Sequence, residues 1–503
     1  MKSIDGDTKS ASARKQVRPA ARARKKAAAL KESDAGHAAH TQAADARGLP
    51  GEMPRPIKVT FIGAGSFFTS NLAADLLQIP GSRGGEIALV DIDESRLKQM
   101  ARLVKRLVAF HGNANWKVTA TTDRHTVLKR SDYVVSCIEV SGVDCVRHDN
   151  DIPAKYGVDQ SIGDTIGPGG LFKGLRTIPV WLEILKDVER YCPQAMVMNY
   201  TNPMGMLCLA AFRTTSLPVI GLCHSVQGTS QLLAKWAGVP YEEMEWTCAG
   251  INHLAWFTTL RHNGRDLYPR LMKQWSADVS GRFRGKDKER DFDIVRKDMA
   301  LHFGAFITES SGHLSEYLPY YRKRKDLLQH YMREAYGGES GYYANNWPLW
   351  RQRANEHRDA MLKNGKSLEN PRTWEYATWI IEAREKNQPY RLHGNVYNKA
   401  GDDSTLISNL PADGCVEVAT FVDRNGFQPT RYGPLPSQMA ALCASNMAFI
   451  DLGAQAAIEK SVEKAVYALM LDPLTAAVCS PAEIKKMTLE MFAAEKAFLK
   501  GYK

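Results

Sequence analysis

Uninterrupted apolar runs are missing from this 503-residue chain: nothing approaches eighteen consecutive apolar residues, so no membrane-spanning helix is expected. The first residues also lack the apolar core of a secretory leader, so export is not expected. Paired cysteine spacing is absent as well. The nine cysteines are odd in number and scattered, which excludes a disulfide framework and predicts reduced thiols in a cytoplasmic protein. A concentrated basic face is lacking too. The net charge is +11, but residues 1–56 hold twelve Lys/Arg against six Asp/Glu, leaving only +5 for the rest. Such a distribution predicts no specific nucleic-acid groove. Ser10 to Leu30 is rich in Ala, Arg and Lys and has few large apolar side chains, so residues 1–56 read as a disordered basic tail.

The remaining chain has the composition of an ordinary globular protein, and its length predicts more than one domain. Order begins after Pro54 and Pro56 with Ile57-Lys58-Val59-Thr60-Phe61-Ile62, a β-branched run of the kind found in buried parallel strands. From there to about residue 223, strand-like and helix-like segments alternate. Thr69–Gln78, 94–110 and 172–191 read as helices between short apolar strands. The alternation predicts an α/β fold whose N-terminal part, 57–225, is a doubly wound parallel sheet. Beyond Cys223 the rhythm changes. Glu245–Gly250 and Leu254–Leu260 read as strands flanking an Asn252-His253 corner, and helical patterns follow over 290–303, 370–386, 437–471 and 481–499. Residues 226–503 are therefore expected to form a mixed α+β, largely helical second domain.

Gly63-Ala64-Gly65-Ser66 lies between the first strand and the first helix, and Asp91 ends the next strand. Glycines there allow a tight turn and a close backbone approach to a pyrophosphate, and Asp91 is placed to accept from ribose hydroxyls, which favours NAD. Phe68 stands where the third glycine of the usual fingerprint would be. The strand–turn–helix–strand–acid context carries the reading of a Rossmann-like NAD site made by Gly63, Gly65, Ser66 and Asp91.

Cys223-His224-Ser225-Val226 ends a predicted strand and is answered thirty residues later by Gly250-Ile251-Asn252-His253. Alone, Cys223 reads as a core thiol and His253 as a hydrogen-bonded corner residue. Ligands of open α/β sheets gather beyond the carboxyl ends of the strands, however, and Asn199-Tyr200-Thr201-Asn202-Pro203 ends the neighbouring strand. A thiolate and an imidazole beside a hydride acceptor suggest metal-assisted chemistry on an alcohol or ketone. Ligand softness by itself points to zinc.

The motifs KVTFIGAGS, VDID, GDTIGPGG (163–170), NYTNPMG (199–205), CHSV, GINHLAWF, ESSGHLSEYLPYY (309–321) and NLPADGCVEV (409–418), in this order, resemble glycoside hydrolase family 4. That family stands outside the two-carboxylate mechanism and depends on NAD. The resemblance spans everything after the tail and implies NAD and a manganese ion as cofactors. It implies Cys223 and His253 as metal ligands, His224 as general acid, Tyr317 as the base, and Asn202 as a substrate-binding amide. The chemistry implied is oxidation at C3 of the sugar, proton removal at C2, and elimination then addition at C1. CHSV resembles the α-galactosidase branch, whereas members acting on 6-phospho-sugars usually carry Asp or Asn after the cysteine. α-Glucosides, uronides and 6-phospho-sugars are the other substrates to be weighed. A small glycoside is the expected partner, and a homodimer or homotetramer the expected assembly.

Neighbouring residues admit plainer readings. Glu309 and His313 suit sugar binding or a structural hydrogen bond equally, and Asp164 suits the nicotinamide end of a site or a turn. Trp347, Trp350, Trp374 and Trp379 read as packing residues first. Two rival functions remain on sequence grounds. A lactate/malate-type dehydrogenase would explain Thr201-Asn202-Pro203 and leave Cys223/His253 unexplained. A non-catalytic NAD-binding or RNA-associated protein would make residues 1–53 essential and Cys223 dispensable.

Overall fold

The computed structural model describes residues 48–283, 291–363, 368–401 and 404–503. Six strands, β1 (Ile57–Ile62), β2 (Gly85–Val90), β3 (Trp116–Thr121), β4 (Tyr133–Ser136), β5 (Met196–Asn199) and β6 (Val219–Gly221), pair in parallel in the order β3-β2-β1-β4-β5-β6. This is the doubly wound order, with its switch point between β1 and β4. The strands of this half are apolar because helices cover them on both sides. Val59, Val134 and Val197 are completely buried.

The sheet does not stop at residue 225. Strands β7 (Met244–Ile251), β8 (Leu254–His262), β9 (Arg265–Asp266), β10 (Phe306–Ile307), β11 (Tyr390–Tyr397), β12 (Cys415–Asp423) and β13 (Gly426–Pro429) extend it to thirteen strands. β11 joins β6 antiparallel through Asn395 and Gly221, and β12 joins β7 through Glu417 and Gly250. The predicted strands around Asn252-His253 form a tight hairpin, with His253 at φ 64°. β11 and β12, later in the chain, insert between β6 and that hairpin and so join the hairpin to the parallel half. Thus the two halves expected from the sequence share one sheet, and the site residues of both come to one edge.

Two boundaries differ from expectation. The sequence places the end of the basic tail at residue 56. Residues 1–47 lie outside those described, but Gly48–Pro56 pack against the body: Met53 is fully buried, Leu49 N–H donates to Glu382 at 2.7 Å, and Arg55 pairs with Asp132 and Glu385. The helical pattern over 437–471 is two helices, Ser437–Glu459 and Val462–Leu471, broken where Lys460 adopts φ 55° and Ser461 caps the second. The first of these is long and apolar enough to cross a membrane. Here it packs on the helices Gly167–Tyr191, Met204–Thr214 and Val462–Leu471.

Candidate functional site

Cys223 follows β6 by two residues, and His253 sits at the turn between β7 and β8. One ligand atom each from Cys223, His253 and Glu309 lie within 4.8 Å of one another. His253 Nε2 is 3.4 Å from Glu309 Oε2. Burial pushes the Cys223 thiol up, but His253 overrides it and holds the thiol near 7; the same pairing, with Glu309, raises the imidazole to about 10 against its own burial. Glu309 is drawn down to about 2, its burial outweighed by His253 and His313. A thiolate, an imidazole and a carboxylate at this spacing suit a divalent ion, which would bind the imidazole in its neutral form. Glu309 holds this position with φ at 74°, a strained backbone for a non-glycine residue.

His224, next in sequence to Cys223, turns to the start of the helix Tyr376–Lys386. Its Nε2 meets both carboxylate oxygens of Glu375, at 2.6 and 2.7 Å. Burial works against the charge on this ring, and Glu375 overcomes it, lifting His224 to about 9. Over a third of the side chain is open to the crevice, so water screens the pair. Phe68, where a third fingerprint glycine would stand, packs edge-on to Tyr200 at 4.8 Å and to His224 at 6.0 Å. The missing glycine is thus replaced by a ring that joins the turn after β1 to the residues beyond β5 and β6.

Tyr317 comes from the short helical segment Ser315–Tyr317. It is buried, and its Oη lies 3.3 Å from His253 Nδ1. The two other tyrosines of the segment are elsewhere: Tyr320 is exposed, and Tyr321 donates to Asp298 at 2.8 Å. Burial, then Asp164, Glu309 and Glu316, push the Tyr317 phenol well above its ordinary range. Glu316 ties this segment to the glycine-rich loop. Its Oε1 accepts the backbone N–H groups of Ser161, Ile162 and Gly163 at 2.6, 3.0 and 3.1 Å, while Oε2 bonds His313. Next along that loop, Asp164 receives Asn202 Nδ2 at 3.2 Å and lies 3.6 Å from Lys173, whose ammonium also pairs with Glu139 at 2.9 Å. Asp164, His253, His313, Tyr317 and Asn202 therefore form one connected group, with Cys223 and His224 beside it.

The turn after β1 has the geometry a dinucleotide requires. Gly63 has φ +82°, and a Cβ there would lie 2.5 Å from the Cys137 carbonyl oxygen; one on Gly65 would lie 2.8 Å from Asp91 Oδ2. Gly65 N–H donates to that oxygen at 2.6 Å, and Ser66 Oγ accepts from Phe68 N–H at the start of the helix Phe68–Leu77. Asp91 also accepts from Asp93 N–H, so its carboxylate is fixed beside the turn after β1. Ile92, the next residue, is 94% exposed, an unusual position for an aliphatic side chain and one a planar base would cover.

Sequence reasoning left out four groups. Glu375 reads as a helix-start acid, and 151 residues separate it from His224. Lys173 and Glu139 give no motif. Glu417 is fully buried on β12, and burial, then the neighbouring Cys223, push its carboxyl well above the ordinary range. Only the pattern of a lone acid inside the apolar strand Cys415–Asp423 could have drawn attention to it. The tryptophans behave as packing residues: Trp379 stacks on Trp374 and Tyr390, and Trp347 and Trp350 pack with Tyr343.

A parallel doubly wound half, extended by antiparallel strands that return a histidine hairpin to its carboxyl edge, defines a cofactor-and-metal enzyme class. The model for family 4 glycosyl hydrolases matches residues 58–239, and that for the family's C-terminal domain matches 248–475. An alpha-galactosidase of Bacillus subtilis (strain 168) is 38% identical over 452 residues, covering 89% of this chain and all of that protein. One from Rhizobium meliloti (strain 1021) is 37% identical over 456 residues, covering 88% and 89%. The structure of a 6-phospho-alpha-glucosidase from gut microorganisms in complex with NAD and Mn2+ superposes with a TM-score of 0.72 at 20% identity, covering 88% of this chain and 99% of that one. The chain belongs to glycosyl hydrolase family 4.

Proposed function

We propose that this glycosidase is an α-galactosidase that works with NAD and a divalent metal, manganese in the cell, on a small unphosphorylated glycoside. The observation that carries the reading is the convergence of Cys223, His253, Glu309 and Tyr317 on the same sheet edge as the Gly63–Ser66 turn. The two alpha-galactosidase relatives support the sugar. So does the Cys223-His224-Ser225-Val226 motif, which resembles the α-galactosidase branch rather than members acting on 6-phospho-sugars.

When bound, NAD supplies reversible hydride acceptance at C3 of the sugar, and the metal supplies a positive field at the O2–O3 edge. The chain does the rest. Cys223 and His253 would hold the metal, with Glu309 as a third protein donor within reach. Tyr317 takes the proton from C2. Burial, and then the surrounding carboxylates, push its phenol well above the ordinary range, and a divalent cation held beside His253 would favour loss of its proton. His224 protonates the glycosidic oxygen, and Glu375 keeps that proton on the ring at neutral pH. Asn202 donates to Asp164 and so keeps its Oδ1 for a sugar hydroxyl. Nothing is oxidised overall, and the cofactor leaves each cycle as it entered.

The reading is tested by hydrolysis of p-nitrophenyl α-galactoside by reduced enzyme, with NAD+ and Mn2+ each present or omitted. Turnover requiring both is the expected result. Turnover of the glucoside or galacturonide in its place would transfer the assignment to that sugar. Turnover indifferent to NAD+ after the bound cofactor is stripped would overturn the mechanism.

A further inference from the structure

The helix Tyr342–Lys363 belongs to the second half of the chain, yet it lies over the dinucleotide crevice of the first. It packs on the helices Glu94–Phe110 and Val146–Lys155. His357 meets the ring of Phe67 at 5.0 Å, and Arg358 Nη1 donates to the carbonyl oxygen of Gly65 at 3.3 Å. About two turns earlier, the Arg351 guanidinium lies against the loop beyond β4, so close that a Cβ on Gly142 would sit 2.7 Å from its Nη1. The helix thus spans the switch point, from the turn after β1 to the loop after β4.

Arg96 meets the same turn from the other side, donating to Gly65 O at 2.9 Å. Two guanidiniums, those of Arg96 and Arg358, therefore meet at one carbonyl oxygen, while that of Arg351 lies against the loop after β4, near enough for its charge to act on Arg96, and none of the three forms an ion pair among the described residues. Arg358 is 1% exposed, and the Nε atoms of Arg358 and Arg96 are buried without a partner. Of the nearby carboxylates, Asp91 is held by two backbone N–H groups and Asp93 caps the helix Glu94–Phe110, while Asp359, next in sequence to Arg358, is exposed to water. Like charges collected in a half-buried place repel strongly, and burial adds to the cost. An anion seated among them would reverse the sign of both effects.

We propose that Arg351 and Arg358, with Arg96, clamp the diphosphate of the dinucleotide, making this helix a third wall of the cofactor site. The inference rests on the NAD reading above and adds to it the residues that retain the cofactor. A dianionic diphosphate neutralises two of the three charges and accepts charge-assisted hydrogen bonds from unsatisfied N–H groups. The clamp answers a need of the chemistry. A cofactor that is reduced and reoxidised within one cycle has to stay bound through turnover.

The test is NADH fluorescence on the full-length enzyme, with NAD+, ADP and adenosine as competitors. R351M and R358M are expected to weaken NAD+ and ADP by about tenfold or more each while leaving adenosine unchanged. R351K and R358K are expected to recover part of the loss, and the salt dependence of ADP binding should flatten in the methionine variants. Arg351 is only partly buried, so R351M keeps the test open should R358M fail to fold, as read by circular dichroism. Wild-type enzyme that binds NAD+ together with variants that bind it equally well would overturn the clamp alone. A wild type that does not bind NAD+ would overturn both the clamp and the cofactor reading.

Discussion

At the scale of single residues, the site is a set of shifted acidities held in balance by a few contacts. His224 is the clearest case. Its ordinary value near 6.5 would leave a general acid mostly discharged at neutral pH, and Glu375 lifts it to about 9. The group is active when protonated, so activity should be full below the raised value and fall as pH rises through it. The pH profile of kcat/KM is expected to show an alkaline limb near 9. In E375Q that limb should move down toward the ordinary histidine range while Mn2+ affinity is unchanged. An alkaline limb left in place would remove Glu375 from the account. Cys223→Ser is expected to weaken Mn2+ by more than about hundredfold, since loss of an outer-sphere partner alone costs ~10–100-fold. Electron paramagnetic resonance of free Mn2+ reads this without turnover. Cys223 and His253 were legible in the sequence because a strand end and a hairpin corner present them at the rim. Glu375 was not, because nothing local distinguishes it from an acid opening a helix.

Among elements, the notable join is the Ser315–Tyr317 segment against the loop 161–163. One carboxylate, Glu316, accepts three backbone N–H groups and a histidine. Replacing it with alanine strands those donors in the interior, at about 1–3 kcal/mol for each. E316A should lower the melting temperature by several degrees and also weaken substrate, since Asp164 and Tyr317 lie on the two sides of the join. A variant with unchanged melting temperature would mean that water replaces the carboxylate. The alternation of strands and helices before residue 225 was readable because parallel strands buried on both faces are nearly continuous apolar runs. The seven later strands were only partly readable. β7 and β8 alternate visibly around their corner, whereas β11 carries His393, Gly394 and Asn395 in its middle and β12 carries Glu417. Those polar residues look like breaks in a strand, and they are buried by packing across the sheet: His393 stacks on Trp246, Asn395 pairs with Gly221, and Glu417 lies near Cys223 and His253.

At the scale of the molecule, one thirteen-stranded sheet carries the cofactor turn, the metal-binding trio and the hairpin that completes it. Folding of the second half is therefore inseparable from formation of the site. NAD+ and Mn2+ together should raise the melting temperature, each by an amount that grows with its concentration: about 2.7 kcal/mol at a hundredfold excess over Kd. The start of the body is also set at this scale. Removing residues 1–47 should leave kcat/KM unchanged. Removing 1–56 deletes buried Met53 and the Arg55 pairs, and should cost about 2–4 kcal/mol of stability, the worth of one buried methionine and its neighbours. Denaturant melts of the two truncations separate these outcomes, and size-exclusion with light scattering on the full chain tests the dimer or tetramer that the family resemblance implies. The central claim is that the glycosidic bond breaks through loss of the C2 proton to Tyr317. Hydrolysis of an α-galactoside carried to completion in D2O, with NAD+ and Mn2+ present, tests it most directly. The account predicts galactose carrying deuterium at C2, and a Tyr317→Phe enzyme that neither cleaves nor exchanges. Galactose released at full rate with its original hydrogen at C2 would contradict it.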